Sequence, residues 1–183
     1  MAAQTTMGTG PGSAADIQPK IYNGVVKSAN LASKSVDASK LINSPVLVTD
    51  STVTVEAEYH ADRTIVLKRA AGVTVTLPAA TGSGNKYSFV VGATVTSNNY
   101  VIKVANGSDS MVGRALAPAD SGNTVNGWEV VSGDDTITLN GSTKGGYIGD
   151  TIELIDVADN IFVVNAFLNQ TSTEATPFSA TVS

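Results

Sequence analysis

The chain has 183 residues, of which 42% are hydrophobic, 15% charged and 5% aromatic, with no cysteine and a formal net charge of −5 at pH 7. This length suits one domain, or one domain with an extension, and the absence of cysteine excludes disulfides, thiolate nucleophiles and cysteine-based zinc sites. The acidic balance argues against a nucleic-acid partner, whose surface would require clustered Lys and Arg.

The first residues lack the basic start and the apolar run of a signal peptide, and no segment approaches the roughly 20 apolar residues of a membrane-spanning helix. We therefore expect no membrane partner. A chain without disulfides is also compatible with synthesis in a reducing cytoplasm.

Residues 1–45 differ from the remainder and are predicted to form an extended N-terminal arm. They carry four lysines and two aspartates, a net charge of +2, which leaves −7 for residues 46–183. A polar segment rich in Ser, Ala and Gly buries too little apolar area to offset the entropy lost on ordering. We therefore expect a partner to hold the arm in place.

A weak repeat lies inside this arm. Apolar residues recur every five positions, at Val26, Leu31, Val36 and Leu41, and this step matches neither a helix nor a strand. The spacing is similar to that of the valine/alanine-lysine-leucine decads near the bases of trimeric phage fibres. An irregular linker with short helical turns is the alternative, and under both interpretations the apolar side chains need a partner surface.

From residue 46 onward the pattern is that of β-strands. Residues 53–59 alternate between apolar and polar side chains, and residues 63–77 hold two runs of β-branched residues separated by a loop that ends in glycine. The second feature predicts a β-hairpin, and residues 86–91 predict a third strand with Tyr87, Phe89 and Val91 on one face. Strands joined in this way predict an antiparallel sheet.

Further strands are predicted at residues 100–104, 128–131, 136–139, 151–155 and 161–168, with an edge strand from residue 178. Residues 106–126 predict a long surface loop with a strand fragment at 111–112, and Trp128 is predicted to anchor the core. The run at 161–168 is apolar on both faces, which indicates a central strand or one covered by another subunit. The predicted fold is all-β, an antiparallel β-sandwich or jelly roll over residues 46–183 with the extended arm before it.

Few residues are candidates for chemistry. His60 is the sole histidine; no nucleophile-elbow motif accompanies it, and it is predicted to lie in a surface turn. Asp150 and Asp156 should point to one side of a strand, and Glu153 and Asp159 to the other. The sequence does not decide whether residues 134–135 or 156–159 bind calcium; the default interpretation of these segments is solvated turns. No catalytic, cofactor or metal site is predicted, and we expect no enzyme.

Five segments carry a resemblance to a known group of proteins. They are Arg63-Thr-Ile-Val-Leu67, Gly72-Val-Thr-Val-Thr-Leu-Pro-Ala-Ala-Thr-Gly-Ser-Gly84, Tyr87-Ser-Phe-Val-Val-Gly92, Asp134-Asp-Thr-Ile-Thr-Leu-Asn-Gly-Ser142 and Thr173-Glu-Ala-Thr-Pro-Phe-Ser179. They resemble small structural proteins of tailed bacteriophages, particularly those of marine and cyanobacterial hosts. The resemblance runs from about residue 53 to the C-terminus and implies a virion component rather than an enzyme.

With this resemblance, the sequence predicts a head decoration (cement) protein: a homotrimer on the outer capsid surface of the virion that clamps neighbouring subunits of the major capsid protein. The arm is predicted to make the contact. Its predicted contact residues are Ile17, Lys20, Ile21, Val25, Val26, Lys27, Leu31, Val36, Lys40, Leu41 and Ile42. The apolar members would bury surface, and the lysines would steer the arm toward acidic capsid surface.

The alternative function is a short tail-fibre, adaptor or receptor-binding module. In that case the loops at residues 106–126 and 141–149 would contact host surface glycans. Chain length favours the decoration protein, because a fibre usually needs a long shaft. Copy number separates the two, since a decoration protein is present in many more copies per particle than a fibre.

Overall fold

The computed structural model describes residues 44–120 and 123–182. In this range the protein is nearly all β, with twelve strands and one short helix, numbered here in chain order. The helix, α1, spans Ala57–His60. The strands are β1 (Val46–Val48), β2 (Thr52–Thr54), β3 (Thr64–Leu67), β4 (Val73–Thr76), β5 (Lys86–Val91), β6 (Tyr100–Lys103), β7 (Ser110–Pro118), β8 (Val125–Glu129), β9 (Thr136–Leu139), β10 (Thr151–Ala158), β11 (Ile161–Phe167) and β12 (Phe178–Ser179).

These strands form two mixed sheets. The seven-stranded sheet has the order β1-β3-β5-β10-β11-β7-β8, and the five-stranded sheet has the order β12-β9-β6-β4-β2. Parallel pairs join β1 to β3, β3 to β5, β7 to β11, β2 to β4 and β4 to β6. The predicted all-β class and the edge position of β12 are confirmed, whereas the prediction of purely antiparallel pairing is wrong.

The first six strands alternate between the two sheets. β1, β3 and β5 lie in the seven-stranded sheet, and β2, β4 and β6 lie in the five-stranded sheet. Each connection therefore crosses from one sheet to the other, and strands that meet again in the same sheet run parallel.

This crossing shows that the predicted hairpin at residues 63–77 is wrong, because β3 and β4 belong to different sheets. Alternation could not distinguish the two arrangements, since a strand with one apolar face suits either sheet over a shared core. Local hydrogen bonds hold the loop between β3 and β4: Arg69 donates from Nη1 to the carbonyl oxygens of Ala71 and Gly72, at 2.9 and 2.7 Å.

The buried side chains of both sheets belong to one hydrophobic core. The seven-stranded sheet contributes Ile65, Leu67, Tyr87, Phe89, Leu154 and Phe162, and the five-stranded sheet contributes Val75, Tyr100, Ile102, Ile137 and Leu139. Tyr87 and Phe162 meet edge to face, with ring centroids 6.4 Å apart. Trp128 packs against this core while partly buried, in agreement with its predicted role.

The strand predicted at residues 53–59 is also wrong beyond its first residues. β2 ends at Thr54, and the chain turns into α1, where the N–H groups of His60 and Ala61 bond the carbonyl oxygens of Glu56 and Ala57. The ring of Tyr59 is 54% exposed rather than inward. The alternation of apolar and polar residues therefore extends beyond the strand itself, because a helical turn provides the backbone hydrogen bonds of residues 57–60.

The long loop predicted at residues 106–126 contains a nine-residue strand, β7, which lies between β11 and β8. Three of its four inward residues, Gly113, Ala115 and Ala117, are small, and Ala115 and Ala117 are fully buried. Gly113 has φ +131°, and a Cβ built there would lie 2.0 Å from the carbonyl oxygen of Val164. Small residues usually indicate a loop, but here they fit a strand that approaches its neighbour closely.

Three buried aspartates connect loops to the sheets. Asp156 accepts hydrogen bonds from the N–H groups of Thr81, Gly82 and Ser83 and from two of their hydroxyls. Asp150 accepts hydrogen bonds from the N–H groups of Gly146, Tyr147 and Asn169 and from the Asn169 amide. Asp135 accepts them from the N–H groups of Thr181 and Val182 and from the Thr136 hydroxyl. The anions thereby satisfy backbone donors that would otherwise be left unpaired.

The pKa values of these carboxyl groups shift in different directions. Burial opposes ionisation of Asp135 and Asp156, but their hydrogen-bond donors outweigh burial and lower both pKa values. Burial raises the pKa of Asp150, and the hydrogen bonds from its neighbours offset only part of the rise. A lowered pKa gives stability that is present above the unfolded pKa and is lost as pH falls through the folded pKa. A raised pKa gives stability that is present below the unfolded pKa and is lost as pH rises through the folded one.

We expect the substitution Asp135→Asn to flatten the acid side of the stability curve. The carboxylate contributes stability that disappears below about pH 4, whereas asparagine has no charge to lose. The free energies of unfolding of the two proteins, measured by urea denaturation from neutral pH to about pH 3, should therefore converge as pH falls. A difference that stays constant with pH would contradict this role of the charge.

Candidate interaction surface

The residues predicted to contact a partner all lie outside the described part of the chain, because each of them precedes residue 44. They are Ile17, Lys20, Ile21, Val25, Val26, Lys27, Leu31, Val36, Lys40, Leu41 and Ile42. Their contacts stay a prediction. The described residues offer a different candidate, the outward side of the seven-stranded sheet.

Side chains on this outward side are arranged in rows that cross the strands. The first row takes one residue from every strand, in register: Leu47, Val66, Val90, Thr151, Phe167, Leu116 and Gly127. Their neighbours along each strand point inward, so that alternation turns these residues outward. Five of the seven are large and apolar, and the row is termed the first apolar row.

Two more rows follow at the next outward positions. A polar row contains Thr64, Ser88, Glu153, Asn165, Arg114 and Glu129. A second apolar row contains Ile155, Val163 and Val112, with Lys86 at its end. Apolar rows therefore flank a polar row, and the three rows together are termed the banded face.

The apolar side chains of the banded face are accessible. Phe167 is 63% exposed, Leu47 is 55% exposed and Val112 is 44% exposed, and the other apolar members are half-buried. Soluble monomers rarely expose contiguous apolar patches larger than a few hundred Å². The face therefore has the character of a protein interaction surface.

The five-stranded sheet provides an internal comparison. The outward residues of β2, β4, β6 and β9 are Thr52, Thr54, Thr74, Thr76, Val101, Lys103 and Thr138. Only Val101 among them is apolar. Threonine meets the conformational needs of a strand as well as valine does, so the apolar residues of the banded face are not required by strand formation.

A groove extends the banded face at the end that carries Phe167. Its walls include Leu116, Pro118, Val125, Phe167 and Leu168, and its volume is about 310 Å³. Val125 is 62% exposed. An apolar groove beside an exposed aromatic ring is the kind of feature that accepts an anchoring side chain in a protein interface.

The charges of the banded face balance one another. Lys86 Nζ lies 3.5 Å from Glu153 Oε2, and Arg114 is opposite Glu129 in the register of β7 and β8. Exposed pairs of this kind add little stability. Two cations and two anions nevertheless give the face no net charge, although residues 46–183 together carry −7.

His60 is buried at 5% exposure, so the prediction of a surface turn is wrong. It is the last residue of α1, and its Nδ1 lies 3.0 Å from the backbone nitrogen of Glu56 and 3.2 Å from the carbonyl oxygen of the same residue. The helical turn folds the ring back onto its own backbone. His60 therefore bonds the first turn of a short helix rather than facing solvent.

The acidic residues of β10 behave as strand alternation predicts. Asp150 and Asp156 are buried, whereas Glu153 faces outward in the banded face. The carboxylates of Asp135 and Asp156 are surrounded by N–H and O–H donors, which already balance their charge. Over residues 44–120 and 123–182, no three His, Asp or Glu side chains are grouped as metal ligands.

Sequence reasoning missed the banded face as a surface, although one signal pointed to it. The run at residues 161–168 is apolar on both faces, and it forms β11 inside the seven-stranded sheet as predicted. The other outward residues come from strands far apart in sequence. Their alignment follows from strand order, which the sequence does not show.

No helix within the described residues has the length and apolar character needed to cross a membrane. No protein-family model, no curated protein and no solved structure matches this chain.

Proposed function

We propose that this protein is a structural component of a virion: a head decoration (cement) protein that binds the outer capsid surface of a tailed bacteriophage. The observation that carries the proposal is the banded face, since a sheet face with two accessible apolar rows suits a protein that works inside a larger assembly. The resemblance of residues 63–92, 134–142 and 173–179 to small phage structural proteins supports this particular assembly.

The proposed mechanism is a clamp with two parts. The body, a two-layer β-sandwich, is a rigid unit because both sheets share one core and buried aspartates hold its loops. The arm, residues 1–45, reaches about 150 Å if extended at roughly 3.3 Å per residue, which is enough to cross boundaries between major capsid protein subunits. Linked contacts of this kind bind tightly by effective concentration even where each one is weak.

We expect replacement of Val26, Leu31, Val36 and Leu41 by serine in the full chain to weaken binding to phage heads by roughly 100-fold. These residues supply the periodic apolar surface of the arm, and anchors of this kind dominate interface energy. Co-sedimentation with heads that lack the protein measures the affinity. The matched control replaces Ser28, Ser33, Ser35 and Ser39 by threonine and should bind normally.

Undiminished binding by the apolar-to-serine variant would overturn the clamp. Quantitative mass spectrometry of purified virions then separates the head from the tail. A copy number comparable to that of the major capsid protein supports a decoration protein, whereas a few copies per particle support the tail-fibre or adaptor alternative.

A further inference from the structure

We propose that two copies of this chain pair through their banded faces. The twofold axis that relates them lies between the two faces, parallel to β11 and directly over it. The inference rests on the proposed role in an assembly and names the partner that covers this face. It differs from the homotrimer that the sequence predicts by resemblance. Charge and residue order on the face both favour a second copy as the occupant.

The charge of the face suits self-association of an acidic protein. Two bodies that each carry −7 repel one another, and only a face without net charge brings them together at low cost. The banded face has this property, because Lys86 and Arg114 offset Glu129 and Glu153. A strongly basic partner would instead be matched by an acidic face.

The overlap of the two faces is smaller than the face itself. An axis along β11 overlaps β5, β10, β11, β7 and β8 and leaves β1 and β3 uncovered. Five strands about 4.8 Å apart span roughly 20 Å, and the three rows with their side chains cover roughly 20 Å along the strands. The overlap of roughly 400 Å² per copy, extended by the groove beside Phe167, is about half of the roughly 800 Å² that each partner contributes to a standard interface, so the expected dimer is weak. Face-to-face packing of two sheets is also an ordinary arrangement in proteins.

The order of residues along the rows is self-complementary. β11 has β10 on one side and β7 on the other, so a twofold axis along β11 places β10 of one copy over β7 of its mate. Glu153 then meets Arg114 of the other copy, and Arg114 meets its Glu153.

The apolar rows match in part under the same operation. Leu116 meets Thr151 and Val90 meets Gly127, while Leu47 and Val66 lie outside the overlap. Phe167 and Val163 lie on β11 and meet their own equivalents, while Ile155 of β10 meets Val112 of β7. Apolar residues therefore cover apolar residues in these pairs, and no like charges face each other in the polar row.

The decisive experiment uses two charge-reversal variants of the full chain. Arg114→Glu places Glu opposite Glu153 in a self-pair, and Glu153→Arg places Arg opposite Arg114, so that each variant alone should show a dissociation constant raised roughly 100-fold. An equal mixture should pair again, because each Glu then meets an Arg. Light scattering with size-exclusion chromatography measures the molar mass, and native mass spectrometry identifies the mixed pair.

Controls keep the test independent of folding. Thr54→Lys on the outward side of the five-stranded sheet should leave the dimer intact, and circular dichroism checks each variant. A second measurement exploits the absence of cysteine: Asn165→Cys lies on the proposed axis and should give a linked pair with a short bismaleimide cross-linker, whereas Thr138→Cys should not. A direct disulfide is not expected, because facing sheets hold the two Cα atoms about 10 Å apart.

A monomer or a trimer of the unmodified chain, or a dimer that ignores both charge reversals, would overturn the proposal. So would a mixture of the two variants that fails to pair. Head binding is measured separately through the arm variants, so failure of the pairing and failure of the decoration function give different results.

Discussion

Replacing Asp156 with alanine is expected to lower the free energy of unfolding by about 3–4 kcal/mol. Its carboxylate accepts hydrogen bonds from three backbone N–H groups and two hydroxyls of residues 81–83, at 2.6–3.3 Å. Truncation removes the common acceptor of these donors at a site where Asp156 itself is 2% exposed, and hydrogen bonds to a charged group are each worth about 1.5–3 kcal/mol. Urea denaturation followed by circular dichroism measures the change.

The matched control is Asp159→Ala, three residues along the chain at an exposed position. It removes the same charge without removing a buried acceptor, and should change stability by less than about 0.5 kcal/mol. Asp156→Asn should be intermediate, because the amide keeps one acceptor but turns an NH₂ group toward N–H donors. Equal losses for Asp156→Ala and Asp159→Ala would show that the carboxylate does not hold the loop.

Replacing Gly113 with alanine is expected to cost about 3 kcal/mol or more and to loosen the seven-stranded sheet. The residue has φ +131°, which side-chain-bearing residues rarely adopt, and the added Cβ would lie 2.0 Å from the carbonyl oxygen of Val164. Both the conformation and the contact oppose alanine. Thermal or urea denaturation measures the loss, and amide hydrogen exchange should become faster in β7 and β11.

Gly133→Ala separates the two causes. Gly133 has φ +90°, but a Cβ there has no neighbour within 4 Å. Its replacement should therefore cost only the conformational penalty, about 1–2 kcal/mol. If Gly113→Ala costs no more than Gly133→Ala, the close approach of β7 and β11 does not constrain the sequence.

Side-chain alternation predicted the strands whose two faces differ most. Tyr87, Phe89 and Val91 point inward from β5 as expected, and both Asp156 on β10 and Asp150 just before it are buried. The physical cause is burial on one side, which imposes a two-residue period. Alternation does not show which strands are hydrogen-bonded to each other, however. For this reason β3 and β4 were predicted to pair, although they lie in different sheets.

The wrong predictions for β7 and α1 both concern residues whose composition suits more than one local structure. Gly113, Ala115 and Ala117 resemble a loop by composition, yet they fill the narrow space of an interior strand. Residues 57–60 resemble the end of a strand and instead form α1. In β7 a close tertiary contact with Val164 decides the structure, whereas in α1 local hydrogen bonds to Glu56 and Ala57 do.

The candidate surface could be predicted only in part. The doubly apolar run of β11 indicated an interior or covered strand, but Leu47, Val66 and Phe167 come into one row only when seven strands are ordered. The arm residues predicted to bind the capsid lie outside the described part of the chain, and their role remains a prediction. The sequence therefore indicated that a partner is needed and did not locate the banded face.

The strand order of the seven-stranded sheet also affects how this chain acquires its structure. Lys86 of β5 pairs with Ile155 of β10, and Ser110 of β7 pairs with Ile161 of β11. Strands that are neighbours in the sheet are therefore synthesised at well-separated times during translation. Loop closure over such separations slows folding. The interior of the seven-stranded sheet stays incomplete until synthesis has passed Phe167. Until then, the edges of β5 and β7 that β10 and β11 will cover have no hydrogen-bonded partner.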